Sequence, residues 1–155
     1  AGEQPGRPVE CFLRERLALH AGAPESPESP ELLRLEGLQH LRSPITARLD
    51  ADVPLLALAQ DLHPTPATCG APLAPARRWI SEHEGLDRGW YAGPLGWTDA
   101  SGDGELWVAL RCGLLRGDEA RLFAGAGIVS GSDPGSELRE TRLKLSALLS
   151  RVLEV

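Results

Sequence analysis

The second half of the chain alternates short apolar runs with clusters of turn-forming residues and then carries one long helical pattern. The apolar runs are residues 90–97, 106–112 and 121–124, and the turn clusters are residues 99–104 and 116–119. Such short connections join antiparallel neighbours, because parallel strands need a long crossover. The runs therefore predict an antiparallel meander. Ser132 or Asp133 before Pro134 then predicts the start of a helix that continues through residues 134–152.

The first half of the chain carries mainly helical patterns. Apolar residues at helical spacing predict helices near residues 9–19, 54–62 and 75–84. Alternating residues predict short strands at 33–35 and 45–49. The prolines of residues 21–30 predict an exposed connection. Residues 1–30 are therefore expected to form an N-terminal helix and a linker, and residues 31–155 the main part of an α+β domain. In that domain an antiparallel sheet of roughly five strands is covered by helices.

Length, charge and composition exclude several classes of protein. A chain of 155 residues is the size of one domain, and a net charge of −6 argues against non-specific binding to nucleic acid or an anionic membrane. The sequence has no apolar run of about 20 residues and no signal-peptide pattern, so a cytoplasmic location is expected. Its three widely spaced cysteines indicate reduced thiols. Methionine is absent, which favours a processed product or a fragment.

The closing helix places two acids and a base on one side. Glu137, Glu140 and Lys144 stand at i, i+3 and i+7, and two carboxylates one turn apart suit a hard cation such as Mg²⁺. Glu140 and Lys144 also form the ordinary i,i+4 pair of a solvated helix, which spacing alone favours. However, Lys144 is the only lysine among 16 basic residues. Its compact ammonium group acts as a point charge, unlike the planar guanidinium of arginine.

The sequence alone does not decide the roles of several other polar and aromatic residues. Residues 123–129 form a glycine-rich turn, which serves either packing or the close approach of an anion to backbone N–H groups. Arg111 lies in an apolar run, so its guanidinium needs an internal carboxylate or an anionic ligand. His40, His63 and His83 lie in different segments without metal-ligand spacing, and each is interpreted as a structural histidine rather than a catalyst. The four tryptophans are expected to line the core or a cleft: Trp79, Trp90, Trp97 and Trp107.

Five ordered blocks of sequence stand out. They are residues 62–67 (Leu-His-Pro-Thr-Pro-Ala), 88–97 (Arg-Gly-Trp-Tyr-Ala-Gly-Pro-Leu-Gly-Trp), 108–111 (Val-Ala-Leu-Arg), 124–129 (Ala-Gly-Ala-Gly-Ile-Val) and 137–144 (Glu-Leu-Arg-Glu-Thr-Arg-Leu-Lys). In order and spacing they closely resemble the C-terminal part of isochorismate synthases, a branch of the chorismate-utilising enzymes. The resemblance covers about residues 32–155, but only roughly the last third of a typical member. The block at His63 is similar to the isochorismate branch, whereas residues 68–70 depart from its usual Val-Gly-Gly.

The resemblance implies a fold, a reaction and a set of site residues. The fold is the C-terminal portion of the anthranilate synthase component I-like fold, and the reaction is the Mg²⁺-dependent conversion of chorismate to isochorismate. Glu140 matches a direct Mg²⁺ ligand and Glu137 a second or water-mediated one. The implied substrate-binding residues are His40, Ala67, Tyr91, Arg111, Gly125, Gly127 and Lys144.

The resemblance also implies what this chain lacks. The family's water-activating lysine and hydroxyl-protonating glutamate match nothing here, so no catalytic acid or base is expected in these residues. Glu10 could stand at the position of a further metal carboxylate, although its neighbours differ from the family's His-Glu-His. The expected partners are chorismate and the missing N-terminal part of the same enzyme. Salicylate or anthranilate synthesis, or a non-catalytic chorismate-binding remnant, are the alternatives.

Overall fold

The computed structural model describes residues 7–35, 38–50 and 52–153. In chain order its helices and strands are α1 (Arg7–Leu17), β1 (Glu31–Leu35), β2 (Leu38–Arg42), α2 (Leu55–Leu62), α3 (Pro66–Cys69), α4 (Leu73–His83), β3 (Pro94–Thr98), β4 (Gly104–Val108), β5 (Cys112–Arg116), β6 (Glu119–Phe123) and α5 (Pro134–Leu153). The predicted α+β class is therefore confirmed. Two compact units divide the chain: residues 1–82 with 98–104, and residues 83–97 with 105–155.

The first unit combines helices α1 to α4 with a two-stranded antiparallel sheet. β1 pairs with β2, from Glu31 opposite Arg42 to Leu35 opposite Leu38. α1 packs against α2 and α3. His20, just after α1, lies 2.5 Å from a carboxylate oxygen of Asp61 on α2.

Two expectations for this unit are wrong. Residues 45–49 form no named strand, and β2 lies instead at 38–42, where it pairs with β1 along its whole length. Residues 21–30 are not merely an exposed connection. Ala21 bridges to Leu49, Glu25 bridges to Thr46, and Ala21 is only 6% exposed. The segment expected to be a strand thus pairs with the proline-rich segment, which has too few donors for a regular ladder.

The end of α2 follows the local sequence. His63 takes an extended conformation because the residue before a proline is disfavoured in the helical region, and its N–H still donates to the carbonyl of Ala59. One short helix, α3, follows at once. Gly70 ends it with φ of +86°, a conformation that favours glycine.

The second unit contains β5, β6, α5 and most of β3 and β4. Between residues 83 and 153 the expected single meander consists of two separate two-stranded sheets, β3 with β4 and β5 with β6. β5 was not predicted, and it pairs in antiparallel register from Cys112 opposite Phe123 to Arg116 opposite Glu119. α5 packs against β6. Its start is confirmed at Asp133, whose side chain accepts a 2.8 Å hydrogen bond from the N–H of Ser136.

Few apolar side chains are buried in the described ranges. Of the residues whose exposure is described, only Ala21, Pro24, Ala92 and Phe123 are buried. Of the two positions expected for the tryptophans, the core is wrong, because each of them is more than half exposed. Several leucines of the second unit are also exposed: Leu114, Leu115, Leu138, Leu143 and Leu153. No helix in the described ranges is long and apolar enough to cross a membrane.

Candidate functional site

Tyr91 lies in the loop between α4 and β3, and its ring packs on Phe123 at the end of β6. The two rings are nearly parallel, at 14°, with centroids 5.6 Å apart. Phe123 is 8% exposed, so the Tyr91 ring packs on one of the few buried side chains of this unit. Burial raises the pKa of Tyr91 above 10.0, while the Arg88 guanidinium acts in the opposite direction. Tyr91 is therefore a neutral phenol that can donate a hydrogen bond at neutral pH.

The glycine-rich turn passes directly beside the Tyr91 hydroxyl. A Cβ atom added at Gly125 would lie 2.6 Å from that hydroxyl oxygen, closer than real Cβ contacts allow. Gly127, two residues on, has nothing within 4 Å of such an atom. Gly125 is thus required for the close approach of the backbone to Tyr91.

Lys144 connects α5 to this turn. Its Nζ donates a 3.0 Å hydrogen bond to the carbonyl oxygen of Gly125 and lies 2.5 Å from Oε1 of Glu140. Its side chain is 21% exposed, whereas that of Glu140 is 56% exposed. The hydrogen bond from Lys144, together with its charge, lowers the pKa of Glu140 below 4.5. The i,i+4 pair predicted from spacing is present, but its lysine has a second partner that a solvated pair would not have.

Arg111 is not buried in a strand, which corrects its predicted position. It is exposed, and it lies between β4 and β5 with φ of +48°, a strained conformation for a residue with a side chain. This backbone turn ends the apolar run that was expected to continue through Cys112. Its positive charge nevertheless contributes to the lowered pKa of Glu140. The two side chains therefore act on each other electrostatically.

Glu137 stands one turn before Glu140 on α5 and is half-buried. Two carboxylates at this spacing supply hard oxygen donors, and Mg²⁺ commonly takes only one or two protein carboxylates and completes its shell with water and substrate oxygens. The donor set of α5 is compatible with such a partial site. In the described part of the chain, no three His, Cys, Asp or Glu side chains cluster as a complete metal site.

The remaining predicted residues belong to the first unit. His40 lies in β2 opposite Leu33, and Ala67 is an exposed residue of the one-turn helix α3. Glu10, on α1, accepts a 3.0 Å hydrogen bond from the hydroxyl of Ser26, which itself accepts one from Arg14. Glu10 therefore has a local structural partner.

Three residues around Tyr91 were missed by the sequence analysis: Glu84, Arg88 and Phe123. Glu84 and Arg88 are four residues apart. Arg88 donates two hydrogen bonds to the Glu84 carboxylate, and neither is longer than 2.8 Å. The Arg88 guanidinium lies 5.9 Å from the centroid of the Tyr91 ring. Residues 84–88 lie beyond the end of α4 and are not helical, so the i,i+4 rule for helices does not predict this pair.

In chemical terms, the second unit presents two cationic groups, a phenol and a close backbone turn near two carboxylates. Cations and a phenol donor suit a carboxylate-bearing ligand, and the acids suit a hard cation. Such a set of groups is chemically suited to a small anionic molecule.

The chain belongs to the chorismate-binding enzymes: the family model described as "Chorismate binding enzyme" matches residues 7–153. It is 53% identical over 136 residues to the salicylate biosynthesis isochorismate synthase of Pseudomonas aeruginosa, covering 88% of this chain and 29% of that protein. It is 45% identical to the isochorismate synthase EntC of Escherichia coli, covering 89% of this chain and 34% of EntC.

A solved structure confirms the fold. The crystal structure of a protein described as the 2,3-dihydroxybenzoate-specific isochorismate synthase DhbC of Bacillus anthracis matches with a TM-score of 0.87 and 37% identity. The match covers 93% of this chain and 39% of that chain. The chain thus spans about a third of the length of the proteins it matches, as the sequence resemblance implied.

Proposed function

We propose that this chain forms part of the chorismate site of an isochorismate synthase. The observation that carries the proposal is the position of Lys144, which bonds both to Glu140 and to the carbonyl of Gly125 beside Tyr91. An ordinary solvated helix would leave its lysine without the second bond. The names of the relatives support the same reaction.

The residues of the second unit take complementary roles in this proposal. Arg111, Tyr91 and the backbone of Gly125 and Gly127 hold the enolpyruvyl carboxylate of chorismate, which suits a guanidinium, a phenol and N–H donors. Lys144 lies beside the ring carboxylate. His40 and Ala67, which belong to the first unit, are also proposed to bind the substrate.

Mg²⁺ is part of the proposal. Glu140 would hold the ion directly, and Glu137 would act as a second or water-mediated ligand. When bound, the ion neutralises the ring carboxylate and fixes its orientation. To accept it, Glu140 must exchange at least part of its contact with Lys144. That lysine is then available to the substrate carboxylate.

In the reaction, one water molecule adds at C2 of chorismate and the C4 hydroxyl leaves as water, while both ring double bonds shift, from C1=C2 and C5=C6 to C1=C6 and C4=C5. The chain's own residues bind and orient the substrate for this exchange. The proton acceptor for the attacking water and the proton donor for the leaving hydroxyl are supplied by the rest of the enzyme. The exposed leucines of the second unit support a partner surface of that kind.

We further propose a cytoplasmic enzyme whose product serves siderophore or menaquinone synthesis. The names of three relatives mention salicylate biosynthesis, vibriobactin and the designation MenF. Salicylate or anthranilate as the product, and a binding remnant without activity, are the competing outcomes of the assay below.

The test is a chimera in which this chain replaces the matched segment of the Pseudomonas aeruginosa relative. With chorismate and Mg²⁺, chromatography should identify isochorismate as the product. Glu140→Gln in the chimera should lower turnover by about 10²-fold, because it removes a charge from an electrostatic site. Glu119→Gln, an exposed carboxylate at the far end of β6 from Phe123, is the matched control and should leave turnover unchanged. A folded chimera that yields salicylate, anthranilate or nothing would contradict the proposal.

A further inference from the structure

The loop that carries Tyr91 is held by a bidentate ion pair. Arg88 donates from Nε to one Glu84 oxygen at 2.6 Å and from a terminal nitrogen to the other at 2.8 Å. Both side chains are only about a quarter exposed, at 26% and 28%. A forked arginine–carboxylate pair fixes the plane of the guanidinium, which a single contact would not do.

The fixed guanidinium lies against the Tyr91 ring. Its central carbon is 5.9 Å from the ring centroid, within the range of a cation–π contact. The carbonyl of Arg88 also accepts a 2.8 Å hydrogen bond from the N–H of Tyr91, so backbone and side chain both link the two residues. Phe123 supports the same ring by stacking. Together these contacts determine where the Tyr91 hydroxyl lies relative to Gly125.

We propose that Arg88, oriented by Glu84, is a positioning residue that holds the Tyr91 hydroxyl beside the Gly125 turn so that it can donate to a carboxylate of the substrate. The inference rests on the proposed function, since it assigns Arg88 and Glu84 to the same site. Arg88 acts through Tyr91 and needs no contact of its own with the ligand.

The charge of Arg88 also affects the strength of the donor. A cation near the ring favours the ionised form of a phenol, so the neutral phenol becomes a better hydrogen-bond donor. Glu84 has the opposite effect on Tyr91, as does Cys112, while burial has the largest effect and raises the pKa. The two members of the ion pair therefore affect Tyr91 in opposite directions.

The first experiment titrates Tyr91 directly. It is the only tyrosine of the chain, so tyrosinate absorbance near 295 nm reports on it alone. Arg88→Gln should raise the midpoint pH of this titration, and Glu84→Gln should lower it. If the pair merely stabilised the loop, both variants would expose the ring and lower the midpoint. The proposal would be overturned if the midpoint shifted in the same direction in both variants, or if it did not shift in Arg88→Gln. Arg78→Gln breaks a more exposed i,i+4 ion pair with Glu82, which has a single contact and lies on α4, and it should leave the midpoint unchanged.

The second experiment measures chorismate binding to the same proteins by calorimetry in the presence of Mg²⁺. Arg88→Gln should weaken binding about fivefold, comparable with Tyr91→Phe, because the first misplaces and the second removes the hydroxyl that donates one hydrogen bond to the ligand. Arg88→Lys keeps the charge without the fork and should recover part of the loss. Equal affinity of Arg88→Gln and the wild-type chain would overturn the positioning role. A wild-type chain that fails to bind chorismate would overturn the proposed function instead, and the titration would still decide whether Arg88 holds Tyr91.

Discussion

Substituting Gly125 with alanine tests the contact between the glycine turn and Tyr91. The added Cβ would lie 2.6 Å from the Tyr91 hydroxyl oxygen, and ordinary contact begins at 3.4 Å, so the two groups must separate by 0.8 Å. Tyr91 cannot shift at no cost, because its ring stacks on the buried Phe123. Gly127→Ala is the matched control in the same turn, since its Cβ would meet nothing within 4 Å.

The expected magnitudes follow from this geometry. Overpacking of this kind costs about 1–3 kcal/mol, against about 0.4–1 kcal/mol gained because alanine restricts the unfolded chain. Gly125→Ala should therefore lower the free energy of unfolding by about 1–2 kcal/mol. Gly127→Ala should leave it unchanged or raise it by a few tenths. A misplacement approaching 1 Å should also weaken chorismate binding by about tenfold or more in Gly125→Ala.

Urea unfolding followed by tryptophan fluorescence measures the stability difference between these two variants. The tyrosinate titration supplies a second readout: if Tyr91 moves out to relieve the clash, its midpoint should fall towards 10.0, the usual pKa of tyrosine. Equal stability of the two variants, together with an unchanged midpoint and unchanged chorismate affinity, would refute the close contact on which the site is built.

Three further predictions address the lysine, a histidine and the metal. Lys144→Met should lower the free energy of unfolding by about 1–2 kcal/mol in urea titrations, because the carbonyl of Gly125 loses its donor; unchanged stability would contradict the bond. Burial lowers the pKa of His63 below 6.5, so the unfolded chain takes up the proton first and stability should fall as the pH decreases through 6.5. A His63→Asn variant should lose that part of the pH dependence in denaturation curves at several pH values. By calorimetry with chorismate present, Glu140→Gln should weaken Mg²⁺ binding about tenfold and Glu137→Gln less, and the reverse order would contradict the assignment.

Local signals predicted the helices well. α5 begins and ends within one residue of its predicted bounds, because Asp133 and Pro134 mark the start and the leucine spacing continues to the end. α2 ends where Pro64 requires it. The strands were harder to predict. β5 was missed because nothing in the local sequence indicates that Arg111 adopts a positive φ and divides one apolar run into two strands. The pairing of Thr46 and Leu49 with the proline-rich segment likewise depends on tertiary contacts that the local sequence does not indicate.

Sequence patterns identified several residues of the candidate site individually, but they did not predict most of the contacts between them. Spacing identified the Glu140–Lys144 pair, and the rarity of lysine singled out Lys144. The bond from Lys144 to Gly125 spans 19 residues and follows from no local pattern. The roles of Arg88 and Phe123 depend on the packing of the loop against β6, which sequence spacing does not encode.

The most direct test of the account uses the purified 155-residue chain with chorismate and millimolar Mg²⁺. Calorimetry should detect binding, and chromatography of the same sample should detect no isochorismate, because the chain supplies binding groups but no proton-transfer pair. Lys144→Met in the same chain should weaken the binding, since it removes the group that connects Glu140 to the Gly125 turn. Isochorismate formation by a monodisperse sample, or the absence of chorismate binding, would contradict the account.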